Sequence, residues 1–512
     1  MLWYLPQVTG SGVAMLDYDG DGQLDAMFVQ GSGPDEGKVP EKVEPGVLYR
    51  NVGGTFLDAG AAAGLQPRGY GMSVVAWDYD NDGYEDLAFS YYREPTRLFQ
   101  NQGDGTFREV SKQAGIADPS LIWSSCLTAF DCNRDGYLDL FQGGYIKYLP
   151  ADWIPDPKVK DEGHGPVQTT LLPGHYQGLT SQLYVNDGAG HFVERGAAAG
   201  VTDPDGQALN AIAADLDGDG FQDLYIANDS HSKCVLYRNK GDGTFTDVSS
   251  GTYADESRGS MGSALGDVDL DGLPDLLVTH WLNATALYRS IPGKAPRKIR
   301  FVDRALHQGL MMDRPLVGWG VAFLDIDNDG FEDIITVHGH TSPPPKEPLS
   351  GRLEKQPAYL FRNQRDGYFE RVPPGGPDDP FAKERVGRAA AFGDIDRDGT
   401  VDVLVSCNNG PAEAWMNTGT PAAWVGFWLV GTASNRDSVG AKLELQQGTH
   451  KRWKEIAAGE SYMATNARHL LFGLGERETP VDATVRWPSG RVERFSGLPV
   501  RRYHRLVEGT GR

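Results

Sequence analysis

Seven stretches of this 512-residue sequence share one pattern, Asp-x-Asp/Asn-x-Asp-Gly-x-x-Asp, and its residue types are those of a hard-cation site. The oxygen donors are Asp17, Asp19, Asp21 and Asp25; Asp78, Asp80, Asp82 and Asp86; Asp131, Asn133, Asp135 and Asp139; and Asp215, Asp217, Asp219 and Asp223. They continue with Asp267, Asp269, Asp271 and Asp275; Asp325, Asp327, Asp329 and Asp333; and Asp394, Asp396, Asp398 and Asp402. Calcium takes about six to eight oxygens at about 2.3–2.6 Å. Side chains at positions one, three and five of a tight loop converge on one point. The glycine at position six permits the sharp turn, position seven can offer its carbonyl, and the ninth aspartate closes the shell. Without a cation, four crowded carboxylates repel one another. Up to seven structural calcium ions are therefore expected, with the third loop weakened by Asn133.

An EF-hand fails as an alternative. It needs a glutamate at position twelve and flanking helices. Position twelve here is Phe28, Phe89, Gln142, Ile226, Val278, Thr336 or Val405, each inside a short strand-like run. The loops therefore join strands.

The flanks repeat as well. Small apolar runs such as GVAML, SVVAW and AAAFG precede the loops, and β-type runs such as LYIAN and IITVH follow. Next comes a third element (LYRN, LFQN, LYVN), then usually a glycine turn and a fourth, as in GTFLD. Four strands repeated seven times predict an all-β fold, a seven-bladed β-propeller over 1–417 with calcium-binding hairpin loops. The seventh unit lacks an obvious fourth strand, and the segment around Leu2–Leu5 is expected to supply it. Residues 418–512 alternate apolar and polar positions with Gly, Asn and Pro between, which predicts a small β-rich C-terminal domain.

These loops, with L-[YF]-x-N and G-D-G-T-F after them, resemble the FG-GAP/VCBS calcium-binding propeller repeats. In the tail, SNRDSVGAKLEL (434–445), HLLFGLG (469–475) and VRWPSGRVE (485–493) resemble the ASPIC/UnbV domain. The combination resembles the cartilage acidic protein 1-like family. That resemblance implies calcium between the first and second strands, and adhesion-like or matrix roles outside the cell, with some relatives near natural-product pathways. It fixes no single function.

Antiparallel geometry puts the calcium loops on one face and the connections between second and third strands on the other. The long connections, roughly 145–181 and 341–358, should rise over that second face. Five residues past each ninth aspartate stand Gln30, Tyr91, Gly144, Asn228, His280, His338 and Cys407. His231, Trp281 and His340 lie near them. First strands begin near Met72, Ser125, Met261, Trp319 and Arg388, with Trp123 and Arg258 slightly earlier. Together they predict a cup of aromatics, imidazoles and guanidiniums.

Two functions follow. The first is a calcium-stabilised binding or adhesion module that takes a glycan or protein in this cup, with Tyr91, Asn228, Trp281, Trp319 and Cys407 as ligand contacts. The second is an enzyme of hydrolase, lyase or cyclase type, possible in natural-product metabolism, acting on a small molecule. Its catalytic candidates would be His280, His338, His340, His231, Arg258 and Arg388. The sequence holds no nucleophile elbow, HExxH or phosphate loop, so binding is favoured. A formal charge of −22 repels phosphate backbones and argues against nucleic acid. No apolar run reaches about 18 residues, so no transmembrane segment is expected. The four cysteines, Cys126, Cys132, Cys234 and Cys407, form no CxxC pair for zinc. MLWYLPQVTG is not a signal peptide as written, yet the calcium chemistry and the resemblance both suit an extracellular or periplasmic location.

Overall fold

Each nine-residue loop joins a strand of small apolar residues to a strand that opens on the ninth aspartate. A computed structural model describes residues 5–31, 45–149, 160–161, 165–166, 173–230, 232–282, 285–292, 299–312, 315–341, 355–408, 410–419, 422–447 and 450–512. The first strands are Val13–Leu16, Tyr70–Trp77, Ser124–Phe130, Ala208–Ala214, Ser260–Gly266, Gly318–Leu324 and Gly387–Gly393. Each pairs antiparallel with the strand beyond its loop, in registers such as Leu16↔Asp25, Trp77↔Asp86 and Ala214↔Asp223.

Six such units become antiparallel sheets of four strands in sequence order, and the seventh has three. Each first strand neighbours the first strand of the next sheet, and the last neighbours the first, so the seven make a closed ring. Crowding at the centre explains their small residues. Ala208–Ala214 (ALNAIAA) is buried along its whole length, as is Ser260–Gly266 (SMGSALG). Fourth strands are short and half-exposed, as in Phe107–Glu109, because they face outward.

Among the described residues no fourth strand joins the seventh sheet, and most of the segment expected to supply one falls outside them. Residues 1–4 lie outside the described residues, and Leu5–Thr9 forms one helical turn. Pro6 accounts for this: it has no N–H for a ladder, but it is tolerated in the first turn of a helix.

The residues after 422 form two further sheets. Ala423–Val430 lies between Leu470–Gly475 (antiparallel) and Tyr503–Val507 (parallel). Lys442–Gln447 lies between His450–Glu455 and Val481–Arg486, which pairs on with Val492–Leu498. These sheets sit on the loop face of the ring, where Gly473 meets Asp325 and Asn328, and Trp424 meets Gly399.

From them the small-residue segment 457–467 (AAGESYMATNA) threads the centre of the ring. Ala458 and Ser461 exchange backbone hydrogen bonds with Ala213 and Ser263 of the fourth and fifth sheets. The Ser461 hydroxyl donates to Ala390 O at 2.7 Å and accepts from Val321 N at 3.3 Å. Ala464–Thr465 adds a parallel strand to Val13–Leu16, and Thr465 Oγ1 bonds the backbone of Val74 and Ala76. Gly459 shows why small residues are needed. It lies at φ +77°, and a Cβ there would stand 1.9 Å from Ala211 O. One hydrophobic cluster runs from Trp77 and Phe130 through Ile456 and Leu470 to Phe427, Leu443 and Val485.

Candidate metal centres

All seven loops share one backbone frame. Position four is left-handed throughout, at Gly20, Asn81, Arg134, Gly218, Leu270, Asn328 and Arg397. The glycine at position six is left-handed as well, with φ of 86–101° in the loops from Gly22 to Gly399. This double turn aims the position-six N–H at Oδ2 of the first aspartate, at 2.7–3.0 Å in every loop. The position-seven N–H reaches Oδ1 of the fifth at 2.8–3.0 Å. The remaining oxygens are left to converge. Carboxylate atoms of Asp17/Asp19/Asp25, Asp78/Asp80/Asp82, Asp215/Asp217/Asp219, Asp267/Asp269/Asp271 and Asp325/Asp327/Asp333 lie within 4.8 Å of one another in each cluster.

A divalent cation fits this donor set. Asp17 Oδ1, Asp215 Oδ1 and Asp325 Oδ1 are buried and accept no hydrogen bond among the described residues, which is costly for a carboxylate oxygen without a counter-charge. Burial pushes Asp17, Asp131, Asp215, Asp325 and Asp394 up to about 6, and Asp267 to about 7. Neighbouring carboxylates of the same loop add to the rise at Asp17 and Asp394.

The ninth aspartate has a second task that the motif does not announce. Its Oδ2 accepts from the position-two N–H at 2.9–3.2 Å in all seven loops. Its Oδ1 accepts from a backbone N–H of the third-strand motif at 2.7–3.0 Å, again in all seven. The group therefore ties loop to sheet whether or not it reaches a metal. Burial pushes Asp25, Asp139 and Asp333 to about 8.

The asparagine of L-[YF]-x-N staples neighbouring sheets. Asn101 Nδ2 donates to Glu85 O of its own loop at 3.1 Å and to Tyr18 O of the preceding loop at 2.8 Å. Asn186, Asn239, Asn363 and Asn417 repeat the cross-sheet bond to Tyr79, Cys132, Val268 and Ile326. Asn51 makes it to Ile395 O at 3.2 Å, which joins the first sheet to the seventh. In the fifth sheet Ser290 stands in this place, and among the described residues its hydroxyl bonds its own loop, at Pro274 O. The residue before the asparagine reaches the third-position aspartate: Arg50 to Asp19 at 2.6 Å, Arg238 to Asp217 at 2.7 Å, Gln100 to Asp80 at 2.7 Å. The recurring Arg of LYRN was the available signal, since a cation repeated beside repeated carboxylates is a pairing pattern.

The opposite face is not an open cup among the described residues. Leu5, Val8, Met72, Trp123, Tyr145, Tyr148, Met261, Trp319 and Tyr462 fill its centre as one buried cluster. Arg388 is fully buried beneath the helical turn. Its Nε donates to Val8 O at 2.7 Å, and its guanidinium lies 4.3 Å from the Trp319 ring. Trp319 Nε1 donates to Gly339 O at 2.8 Å.

His280 is fully buried, with Nε2 on Glu256, which also pairs with Arg258. His338 Nδ1 donates to Pro357 O at 2.7 Å, and His340 is buried beside it. Asn228 Nδ2 is held by Asp203 at 2.8 Å and Lys233 O at 2.7 Å, and Tyr91 is buried under Arg97. Trp281 is half-buried with Nε1 on Thr341, and Cys407 is half-buried. His231, and most of both long connections, lie outside the described residues. Sequence alignment brought these side chains to one end of the ring. Tyr91, Asn228, His280, His338, Trp319 and Arg388 are all buried there among the described residues, with the helical turn and the tyrosines of 145–148 over the centre.

Three cavities among the described residues lie elsewhere. One of about 160 Å3 surrounds the threading segment on the loop side. A cleft of about 400 Å3 separates the first two loops from the C-terminal sheets, and one of about 300 Å3 sits on the outer edge of the third sheet. None is lined by His280, His338, His340 or Arg388. No described helix is long and apolar enough to cross a membrane.

The FG-GAP-like repeat matches at 17–89, 78–141 and 215–278, and the ASPIC and UnbV family matches at 431–512. Cartilage acidic protein 1 of Xenopus tropicalis is 24% identical over 506 residues, covering 95% of this chain and 71% of that protein. The Homo sapiens protein of that name is 24% identical over 509 residues, covering 95% and 70%. Among solved structures, an Agrocybe aegerita lectin that recognises terminal N-acetylglucosamine shows 17% identity and a TM-score of 0.40, covering 73% of this chain and 89% of its own. Bacillus licheniformis rhamnogalacturonan lyase shows 12% identity and a TM-score of 0.41, covering 84% and 74%. Neither structural likeness is close enough to bear on function.

Proposed function

Because this chain joins FG-GAP repeats to a C-terminal UnbV/ASPIC domain and is a distant full-length homologue of cartilage acidic protein 1, we propose that it is a calcium-stabilised binding module rather than an enzyme. Its scaffold is a seven-bladed β-propeller over 1–417, with a β domain over 418–512 docked on the calcium face. Up to seven calcium ions hold the loops, and the ligand is a glycan or protein met outside the cell or in a periplasm. Calcium is structural here: its ligands lie at the hairpins, where the same oxygens organise the turns that staple blade to blade. The observation that carries binding over catalysis is the commitment of the candidate acid–base groups. His280 is locked on Glu256 and His338 on Pro357 O, and neither lines a cavity described above.

The test is a glycan array and partner capture in calcium and in EDTA, beside a metabolite panel. Calcium-dependent binding without turnover is expected. Turnover that disappears in a His280→Gln or His338→Gln variant of unchanged melting temperature would reverse the reading.

A further inference from the structure

We propose that the cleft between the first two loops and the C-terminal sheets binds a carboxylate-bearing saccharide. This rests on the binding-module reading and names a ligand class and a site for it. At about 400 Å3 the cleft has room for a ligand of one or two sugar rings. Its two walls differ in charge. The propeller wall carries Asp17, Asp82 and Glu85, and the C-terminal wall carries Arg436, Arg468 and Arg505 with one carboxylate, Asp437.

These charges are not equally spent. Arg468 is consumed: it pairs with Glu85 and lies 3.1 Å from Asp437, and it also donates to Ala76 O. Asp17 and Asp82 belong to loop donor sets, so calcium there would cancel them. Arg436 and Arg505 are exposed, and neither guanidinium meets a carboxylate among the described residues. On a chain of formal charge −22, two cationic forks left unpaired in one concave site are a recognition feature for an anion. A carboxylate matches the planar fork with paired hydrogen bonds.

The rest of the C-terminal wall suits a sugar ring. Trp428 stands opposite Arg505 in the parallel ladder, so both side chains project from the same face of that sheet. Its half-buried indole, which also meets the Arg397 guanidinium at 5.3 Å, adds apolar aromatic surface to the cleft wall, against which the C–H groups of a pyranose can pack. His469 packs edge-on at 4.3 Å from Trp428, and its Nδ1 is buried with no hydrogen-bond partner among the described residues. A ring nitrogen left in this state beside a cleft is a waiting site for a hydroxyl. Cation, aromatic plate and neutral polar atom together select an acidic sugar over a neutral sugar or a simple anion.

Isothermal titration of the full chain in calcium buffer with digalacturonate, and with lactose as a neutral disaccharide, tests this. Digalacturonate should bind, and lactose should bind at least about tenfold more weakly. The double variant Arg436→Gln/Arg505→Gln should lose at least about tenfold in affinity for digalacturonate. Both residues are exposed, so its melting temperature should match the parent. Equal affinity for the two sugars, or full digalacturonate affinity in the double variant, overturns the assignment. If an array finds neutral glycans while digalacturonate is ignored, the cleft fails and the binding-module reading stands. If the chain binds no glycan or protein and turns over a metabolite, that reading fails, and this inference falls with it.

Discussion

Removing calcium should cost this protein more at about pH 8 than at about pH 5.5. In the metal-free chain, burial pushes Asp325 from the usual 3.8 to about 6. A shift of about two units is a penalty of about 3 kcal/mol on the ionised form. The folded value lies above the unfolded one. The contribution is therefore fully present below 3.8 and is lost as pH rises through about 6. Asp25, Asp139 and Asp333 extend that window to about 8. The metal-free protein thus weakens on going from acid to neutral pH.

Calcium acts with the opposite slope, because it takes the place of the protons and binds only the ionised cluster. At about 10 mM free calcium, a site with a Kd of about 0.1–1 mM adds about 1.4–2.7 kcal/mol. The three loops with unpartnered oxygens, those of Asp17, Asp215 and Asp325, then contribute about 4–8 kcal/mol together. For a chain of 512 residues that corresponds to about 4–8 °C in melting temperature. Differential scanning calorimetry in calcium and in EDTA across this pH range reads the gap directly. A gap that is absent at the alkaline end, or that narrows as pH rises, would refute the reasoning.

Asn51→Ala removes the cross-sheet bond to Ile395 O and should cost about 2–4 kcal/mol in urea denaturation. Arg50→Ala, next door and largely exposed, should cost no more than about 1 kcal/mol, so equal losses would dismiss the staple. Gly459→Ala forces a Cβ against Ala211 O at a left-handed position. It should lower the melting temperature and speed amide exchange over 457–467, and unchanged exchange would mean that the segment is not held in the ring. His280→Ala removes one of the two partners of the half-buried Glu256 carboxylate, leaving Arg258, and should destabilise by about 1–3 kcal/mol, measured by the same denaturation. A variant as stable as the parent would return His280 to the list of groups free for chemistry.

The architecture was written in local terms, and that is why it could be read. Strand length, the glycine turn and the spacing of carboxylates all lie within one repeat of the chain, so the loops Asp17–Asp25 to Asp394–Asp402 announce both the hairpins and their clustered carboxylates. The tail motifs likewise identify the C-terminal domain from contiguous residues. What a side chain does across the ring is not local. His280 and His338 stand at equivalent strand ends in the sequence, and their partners Glu256 and Pro357 O are brought in by other segments. The same holds for Arg388, whose acceptor Val8 lies 380 residues away in sequence.

Closure of the ring shows the division most plainly. Sequence counting required something to complete the seventh unit and looked to the N-terminal residues. Among the described residues that sheet has three strands, and Asn51 and a segment near residue 460 join the ends of the circle. Periodicity along a chain specifies the elements it will form, because hydrogen bonding and side-chain alternation act between near neighbours. Which distant segment fills a central channel is set by volume and by unsatisfied backbone edges, and these exist only once the seven sheets stand together.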